Sequence, residues 1–484
     1  MNSLALLTAP LLLWAVCAVL VKNTRVLGIL TAGWAWLYLA ITCTLAAPVS
    51  LGIEPQVTLA PGFSIDATAS WFMMLTATIA AGAMTHSHFF FQEEKLREPR
   101  PKSTHIRLFY ACAALFVFAM TAVLLCDNLG FLWISIEATT LLSAPLVYFS
   151  RTRHAIEATW KYLIICSVGI AFALLGTILI FASSQHTSLS AGSLSLQQLI
   201  QLAPQLNYPL FKLGFIFCFL GYGTKAGVFP LHSWLPDAHA EAPAPASAML
   251  SGALLNTALF AIWRLLQVDS ACHHGRAAFG SNLAIWMGTI TVVAASLFLI
   301  RQHGLKRLWA YSSIENVGLM LVAVGLGSPG LFFLQALNHS FAKATLFLLS
   351  GNIIQSTGSK HLSEIHGLLK LSPMWGVLLV AAACAATGVP PFGSFISEWL
   401  ILSASADTGR WLVIFLLLSG ISLSFIAVSI HVSRILLGTP KAPGSYRHPV
   451  LGSLIPAALM SFLFILGLTT GGFVSSTLHI GGAL

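Results

Sequence analysis

The stretch 223-GTKAGVFPLHSWLPDAH-239 closes an apolar run that begins at Leu213. A lysine, two prolines and two histidines follow one another where a membrane helix is expected, and this combination governs how the rest of the chain is read. Gly223, Gly227 and Pro230 interrupt a helix, because glycine loosens the backbone and proline removes a donor. Irregular backbone at membrane depth is tolerated where it lines a watery cavity. Lys225 at that depth needs a hydrogen-bonding partner or water, and a buried lysine is suited to exchanging a proton.

Composition sets the class. With 57% hydrophobic and 8% charged residues over 484 positions, the chain has too few charges to cover a soluble globule, in which about a quarter of residues are charged. An all-α integral membrane protein is predicted. Apolar runs able to cross roughly 30 Å of hydrocarbon fall near residues 3–21, 26–47, 67–91, 107–126, 129–150, 160–183, 208–229, 245–268, 279–300, 305–326, 330–355, 373–403, 411–437 and 450–472, fourteen spans in all. The first has no basic residue before it and no small-residue cleavage site, and Lys22 and Arg25 follow it, so it reads as a span and not a removed signal.

Lys and Arg concentrate in cytoplasmic connections. With the N-terminus outside, the inner connections receive Lys22 and Arg25, then Lys95, Arg97, Arg100, Lys102 and Arg107, then Arg151 and Arg153. Further along they receive Arg301, Lys306 and Arg307, then Lys360 and Lys370, and last Arg434, Lys441 and Arg447, while the outer connections hold little beyond Arg276 and Arg410. Both termini are therefore expected outside, with a bacterial cytoplasmic (inner) membrane as the location. The segment with HSWLPDAH faces inside without Lys or Arg. The +9 net charge follows from this asymmetry and an anionic inner leaflet, so no nucleic-acid partner is implied.

All cysteines except Cys272 fall in apolar spans without CxxC spacing and read as small buried hydrophobes. No GxGxxG, Walker loop, cysteine cluster or spaced haem histidine pair is present, so no cofactor and no redox chemistry of its own is expected. Cys272-His273-His274 is the one metal-like cluster and reads as polar loop. The loop QEEKLREPRPKSTHIR, 92–107, reads as solvated charge facing water and lipid heads or docking a partner, and SLSAGSLSLQQLIQLAP, 188–204, as a short amphipathic run at the outer surface.

Charged groups at membrane depth cost roughly 2.5–3.5 kcal/mol each on insertion scales and mark ion paths or buried pairs. Five stand out: Glu137, Lys225, Glu315, Lys343 and Glu398. Glu137, in LWISIEATTLL, reads as a proton-carrying carboxylate paired with a lysine. Glu315 has two readings, a relay or a neutraliser of Lys306 or Arg307. His339 and Lys343, four residues apart in ALNHSFAKATLF, share one helix face that Asn338 extends; a satisfied interhelical hydrogen bond stays open for His339. Lys161 starts its span and snorkels, or modulates the Glu137 pair. His232 reads as a relay from the inside and His239 as a loop cap.

A second interrupted span lies in TGVPPFGSFISEW, 387–399, where Gly388, Pro390, Pro391 and Gly393 break the run beside Glu398. Paired breaks point to an inverted-repeat transporter. Spans 4 to 8 (105–270) and 9 to 13 (271–440) form the repeats, flanked by spans 1 to 3 (1–104) and span 14 (441–484). Glu137 then matches Glu315, and Lys225 matches Glu398.

Together, CDNLGFLWISIEATTLL, KAGVFPLHSWLPDAHAEAPAPASAML, KRLWAYSSIENVGLM, NHSFAKATLFLLSGN and GVPPFGSFISEW resemble the antiporter-like proton-translocating subunits of respiratory complex I and of the multisubunit cation/proton antiporters. The resemblance covers about residues 105 to 435. IEATTLL, WKYLIICSVG, SSIENVG and ALLNTAL look closest to the branch of hydrogenase-4 component F and related formate hydrogenlyase membrane arms. It implies that Glu137 and Lys225 are the family's fifth-helix glutamate and seventh-helix lysine. Lys343 and His339 match its eleventh-helix pair, Glu398 its twelfth-helix glutamate, and His232 and His239 histidines beside the broken helix. Many members carry a lysine or histidine on the eighth helix; here Asn256 stands there, so a proton would pass on bound water. One branch of the family adds a long lateral helix, and a chain ending at Leu484 looks like the short form. The implied function is proton translocation coupled to redox chemistry in neighbouring membrane and soluble subunits. The alternatives are a subunit of a monovalent cation/proton antiporter, with sodium as a possible second ion, or the proton-driven partner of a bicarbonate-accumulating complex.

Overall fold

The computed structural model describes residues 3–94, 102–185, 192–273, 279–439 and 450–477. Lys95, Arg97, Arg100, His274, Arg276, Lys441, Arg447, Leu484 and the first part of the 188–204 run lie outside the described residues.

The chain opens with α1 (Ser3–Leu20) and α2 (Thr24–Ser50), then a hairpin of β1 (Gln56–Ala60) and β2 (Phe63–Asp66). The hairpin corrects the all-α expectation. Val57 pairs with Ile65 across Pro61-Gly62, and Gly62 takes the left-handed backbone (φ 79) that the turn requires. Helices α3 (Ala67–Glu94), α4 (Ser103–Leu125), α5 (Leu129–Val147) and α6 (Arg153–Ser184) follow. Next come the short α7 (Leu196–Gln201), which buries Leu196 and Leu199 from the amphipathic run, and α8 (Tyr208–Ala226). Polar residues set several of these starts: Asn23, Asn128, Thr152, Ser195 and Asn207 each accept from a free amide of the first turn.

After α8 the chain turns through residues 227–233 into α9 (Trp234–Glu241) and α10 (Ala244–Met249). A π-helical turn, Leu250–Leu254, leads into α11 (Leu255–Cys272). Helices α12 (Phe279–Leu299), α13 (Leu305–Gly325) and α14 (Pro329–Thr357) precede the small α15 (Leu368–Leu371). The expected span 373–403 is two helices, α16 (Pro373–Ala386) and α17 (Gly393–Asp407), followed by α18 (Trp411–Leu436) and α19 (Leu454–Thr477).

Among the described residues ten helical units are long and apolar enough to cross a membrane: α1 to α6, the Ala244–Cys272 unit, α12, α13 and α18. Helices α8, α14 and α19 occupy three of the other expected spans. The layers sort by polarity. The Ala244–Cys272 unit, α13 and most of α14 are buried inside the bundle, whereas Val19, Ile29, Ile164, Val168 and Phe415 point outward from the peripheral helices. Small residues let neighbouring helices touch: a Cβ on Gly176 or Gly221 would overlap the backbone of α8 or α6, and one on Gly288 or Gly318 would overlap the facing backbone of α13 or α12.

Both breaks are built the same way. Helix α8 stops at Gly227 (φ 82), and α16 is followed by Gly388 (φ 65), each in a left-handed conformation that side chains resist. Each break also contains an X–Pro bond in cis, Phe229-Pro230 and Pro390-Pro391.

Candidate functional site

The first centre forms where α8 ends. Lys225 is fully buried in the last turn of α8, where the unpaired carbonyls at a helix C-terminus favour a cation. Its Nζ donates to Thr140 Oγ1 at 2.8 Å and to Tyr162 OH at 2.6 Å, and lies 4.7 Å from the Tyr162 ring centre. Tyr162 in turn meets Ser143 Oγ at 2.6 Å. Trp234, the first residue of α9, packs its ring at a tilt against Tyr162 and donates from Nε1 to Thr224 O at 2.9 Å, pinning the chain beyond the break back onto α8.

Glu137 lies one turn before Thr140 on α5 and is half-buried. Its Oε1 accepts from Ser167 Oγ at 3.0 Å, and Oε2 is buried without a partner. Among the described residues no ion pair joins Glu137 to Lys225. The expected direct pair is replaced by hydroxyl contacts, because Thr140 and Tyr162 stand closer to the ammonium.

The second centre gathers on α14. Lys343 is fully buried and donates to Ser312 Oγ of α13. One turn earlier His339 contacts Ser251 O through Nε2 at 3.2 Å, while its Nδ1 has no partner. Glu315, on α13 just past Ser312, is buried with Oε2 unpartnered. It does not neutralise its neighbours, since Lys306 donates to Ala242 O at 2.7 Å and Arg307 pairs with Asp237. Helix α14 also packs on α17, whose Glu398 sets its carboxylate against Gly388; a Cβ there would overlap it.

Asn256 donates from Nδ2 to Gly252 O at 3.0 Å and to Ser340 Oγ at 2.8 Å, leaving Oδ1 buried and unpartnered. A row of amides and a hydroxyl runs alongside: Asn338 donates to Ser397 Oγ at 3.3 Å, Ser397 to Gln335 Oε1 at 2.5 Å, and Gln335 to Asn316 Oδ1 at 2.9 Å. Buried polar atoms left without partners are the places where internal water binds.

His232 is buried among Phe229, Phe298 and Tyr311 with Nδ1 unpartnered. His239 stacks on Phe347 at 4.7 Å and neither ring nitrogen has a partner, so its ring does not cap the loop. Lys161 is held by Glu157 at 2.6 Å and Asp237 at 3.2 Å, which places it beside α9. Sequence reading missed Tyr162, Ser251, Ser312 and Ser313; the only signal for them is a hydroxyl inside an apolar run, which is common.

The family described as NADH:quinone oxidoreductase/Mrp antiporter, TM, matches residues 126–424. A hydrogenase-4 component F homolog of Methylacidiphilum infernorum is 36% identical over 388 residues, 79% of this chain and 80% of that protein. The NADH-quinone oxidoreductase subunit N of Desulforudis audaxviator is 27% identical over 419 residues, 84% of this chain and 80% of that protein. In fold, a chain of the Mrp complex from Dietzia sp. DQ12-45-1b superposes with a TM-score of 0.84 over 99% of this chain and 97% of that one, at 19% identity.

Proposed function

The chain belongs to the NADH:quinone oxidoreductase/Mrp antiporter membrane family, and we propose that within it the chain is an antiporter-like subunit that moves protons across the membrane through its two lysine centres. The observation that carries the reading is the pair of fully buried lysines, Lys225 and Lys343, each hydrogen-bonded to hydroxyls and set beside an interrupted helix. An ammonium kept from water without a fixed carboxylate partner is costly unless its proton is meant to leave.

The relay joins Lys225, His339, Lys343 and Glu398, with Lys225 controlling when protons leave Lys343 and His339 for Glu398, Glu137 biasing Lys225 through Thr140 and Tyr162, and water on Asn256 and Glu315 bridging gaps. His232 and His239 flank the path beside the first break, and Lys161 acts on it through Asp237. Fourteen spans, with inverted repeats at 105–270 and 271–440 between flanking helices at 1–104 and 441–484, account for the two matching glycine breaks. The basic connections mark the inner face of a bacterial cytoplasmic membrane, with both termini outside. The partners are other membrane and soluble subunits of a multisubunit complex in which redox energy is released, and the lipid bilayer surrounds the rest.

Lys225→Met tests the reading. Assembled complexes carrying it, in sealed vesicles, are expected to lose proton translocation, and full pumping by that variant sinks the proposal. Translocation that requires sodium would move the chain toward the cation/proton antiporters.

A further inference from the structure

A cavity of about 510 Å³ opens between α6, α9, α13 and the inner end of α14, on the face that carries the basic connections. Its cations are mostly neutralised: Lys161 by Glu157 and Asp237, Arg307 by Asp237, and Lys360 by Glu241. Three histidines, His154, His303 and His361, join the lining. Lys306 differs from the other cations. It is 9% exposed, lines the cavity, and among the described residues pairs with no carboxylate; its Nζ donates only to the Ala242 carbonyl at 2.7 Å.

From Lys306 a polar line leads inward. Ala242 O also accepts from Ser247 Oγ at 3.4 Å, and Ser247 reaches His239 O at 3.1 Å. Four residues later, within the π-helical turn, Ser251 offers its carbonyl to His339 and its hydroxyl to Ser313 Oγ at 2.8 Å. Ser312, beside Ser313, holds Lys343. Lys306 and Ser312 are six positions apart on α13, about 9 Å of helical rise. Trp309 Nε1 on the same stretch, both ring nitrogens of His239 and Nδ1 of His339 are buried without partners, as expected of a line completed by internal water.

We propose that this cavity is the proton-uptake mouth and that Lys306 loads the Lys343–His339 centre from it, without passing through Lys225. In each cycle the Lys306 ammonium releases one proton to water on the inward side and takes one back from cavity water, so its charge is restored. Lys225 then sets when the second centre discharges and is not the path by which it fills. The inference rests on the proton-translocating reading, and Lys225→Met serves as the control for that reading.

The test uses sealed vesicles carrying the assembled complex, with translocation normalised to its amount. Lys306→Met is expected to lower translocation at least tenfold. Lys306→Arg keeps the charge and a donor to Ala242 but holds its proton, and is expected to be as slow. Restoration by Arg assigns Lys306 a structural charge and overturns the inference; so does full translocation by Lys306→Met while Lys225→Met is dead. Full translocation by Lys225→Met overturns the underlying reading instead. Should Lys306 variants fail to assemble, Ala240→Cys in the cavity lining decides. A small cationic thiol reagent applied from the basic face is expected to modify it and cut translocation at least fivefold over the parent chain. Complete modification without loss, or no modification from that face, overturns the proposal.

Discussion

The breaks at Gly227 and Gly388 share a backbone device and differ in where the charge is attached. At the first, Lys225 belongs to the helix before the gap and sits in its last turn; at the second, Glu398 belongs to the helix after the gap, in its second turn. Helix ends carry opposite partial charges, negative at the C-terminus and positive at the N-terminus, so each side chain stands toward the end that suits its ionised form, more strongly for Lys225. The lysines also differ in company. Lys225 rests on two neutral hydroxyls, Thr140 and Tyr162, while Lys343 comes from the unbroken α14 and packs between the helices that bear Glu315 and Glu398. Neutral acceptors hold an ammonium without fixing its charge, as suits a group that senses its surroundings. A lysine between carboxylate-bearing helices suits storage and transfer of a proton.

That difference is broken most directly at Lys343. Lys343→Met is expected to reduce translocation by about a hundredfold or more, the scale of losing a positioned acid–base group, with the complex still assembled; Lys343→Arg should not restore it. Proton uptake by sealed vesicles measures both. Recovery in the arginine variant would make the two lysines equivalent fixed charges and remove the distinction between sensor and store.

The glycines come next. Any side chain at Gly227 or Gly388 takes on about 1–2 kcal/mol of left-handed strain, but the space beyond them differs. A Cβ at Gly227 meets the end of the Leu235 side chain at 2.6 Å, which can move aside, whereas at Gly388 it overlaps the Glu398 carboxylate. Gly388→Ala is expected to lower translocation roughly tenfold per assembled complex, a rise of about 1.4 kcal/mol in the barrier, because it displaces the carboxylate of the proposed relay. Gly227→Ala is expected mainly to lower the thermal midpoint of the purified protein. Equal effects on translocation would mean that the gap matters and the carboxylate beside it does not.

What the chain discloses before folding follows the range of each interaction. Both breaks were legible, because glycine and proline act on their own backbone, and so were Lys225 and Lys343, because a charge in an apolar run is conspicuous. Their partners were not. Tyr162 is 63 residues from Lys225 and reads as core, and Ser251 and Ser313, 62 residues apart, look like small residues that let helices approach. The direct Glu137–Lys225 pair was a reasonable expectation from charge alone, but Thr140 on the same face of α5 takes the ammonium. In sequence Lys306 reads as a topological charge of an inner loop; α13 begins at Leu305, so the lysine is drawn into the bundle where the Ala242 carbonyl accepts it. The hairpin at 56–66 escaped because its strands are shorter than any periodicity can mark.

The smallest expected effect is also the one that tests whether Lys225 senses Glu137 through hydroxyls. Thr140 lies one turn from Glu137 on α5, and Tyr162 links Lys225 to Ser143 on the same helix. Either hydroxyl can carry the influence of α5 to the ammonium. Lys225 keeps one hydroxyl when the other is removed, so a net loss of about 1 kcal/mol is expected, and Tyr162→Phe and Thr140→Val should each slow translocation by roughly fivefold. Tyr162→Phe should be the more damaging, because it also removes the contact to Ser143 Oγ. If the two hydroxyls act together on one proton, the double variant falls short of the product of the single effects, as groups in one network do. Initial rates of proton uptake in the four combinations measure this coupling. Independent, multiplying effects would mean that the two hydroxyls connect Lys225 to α5 by separate routes.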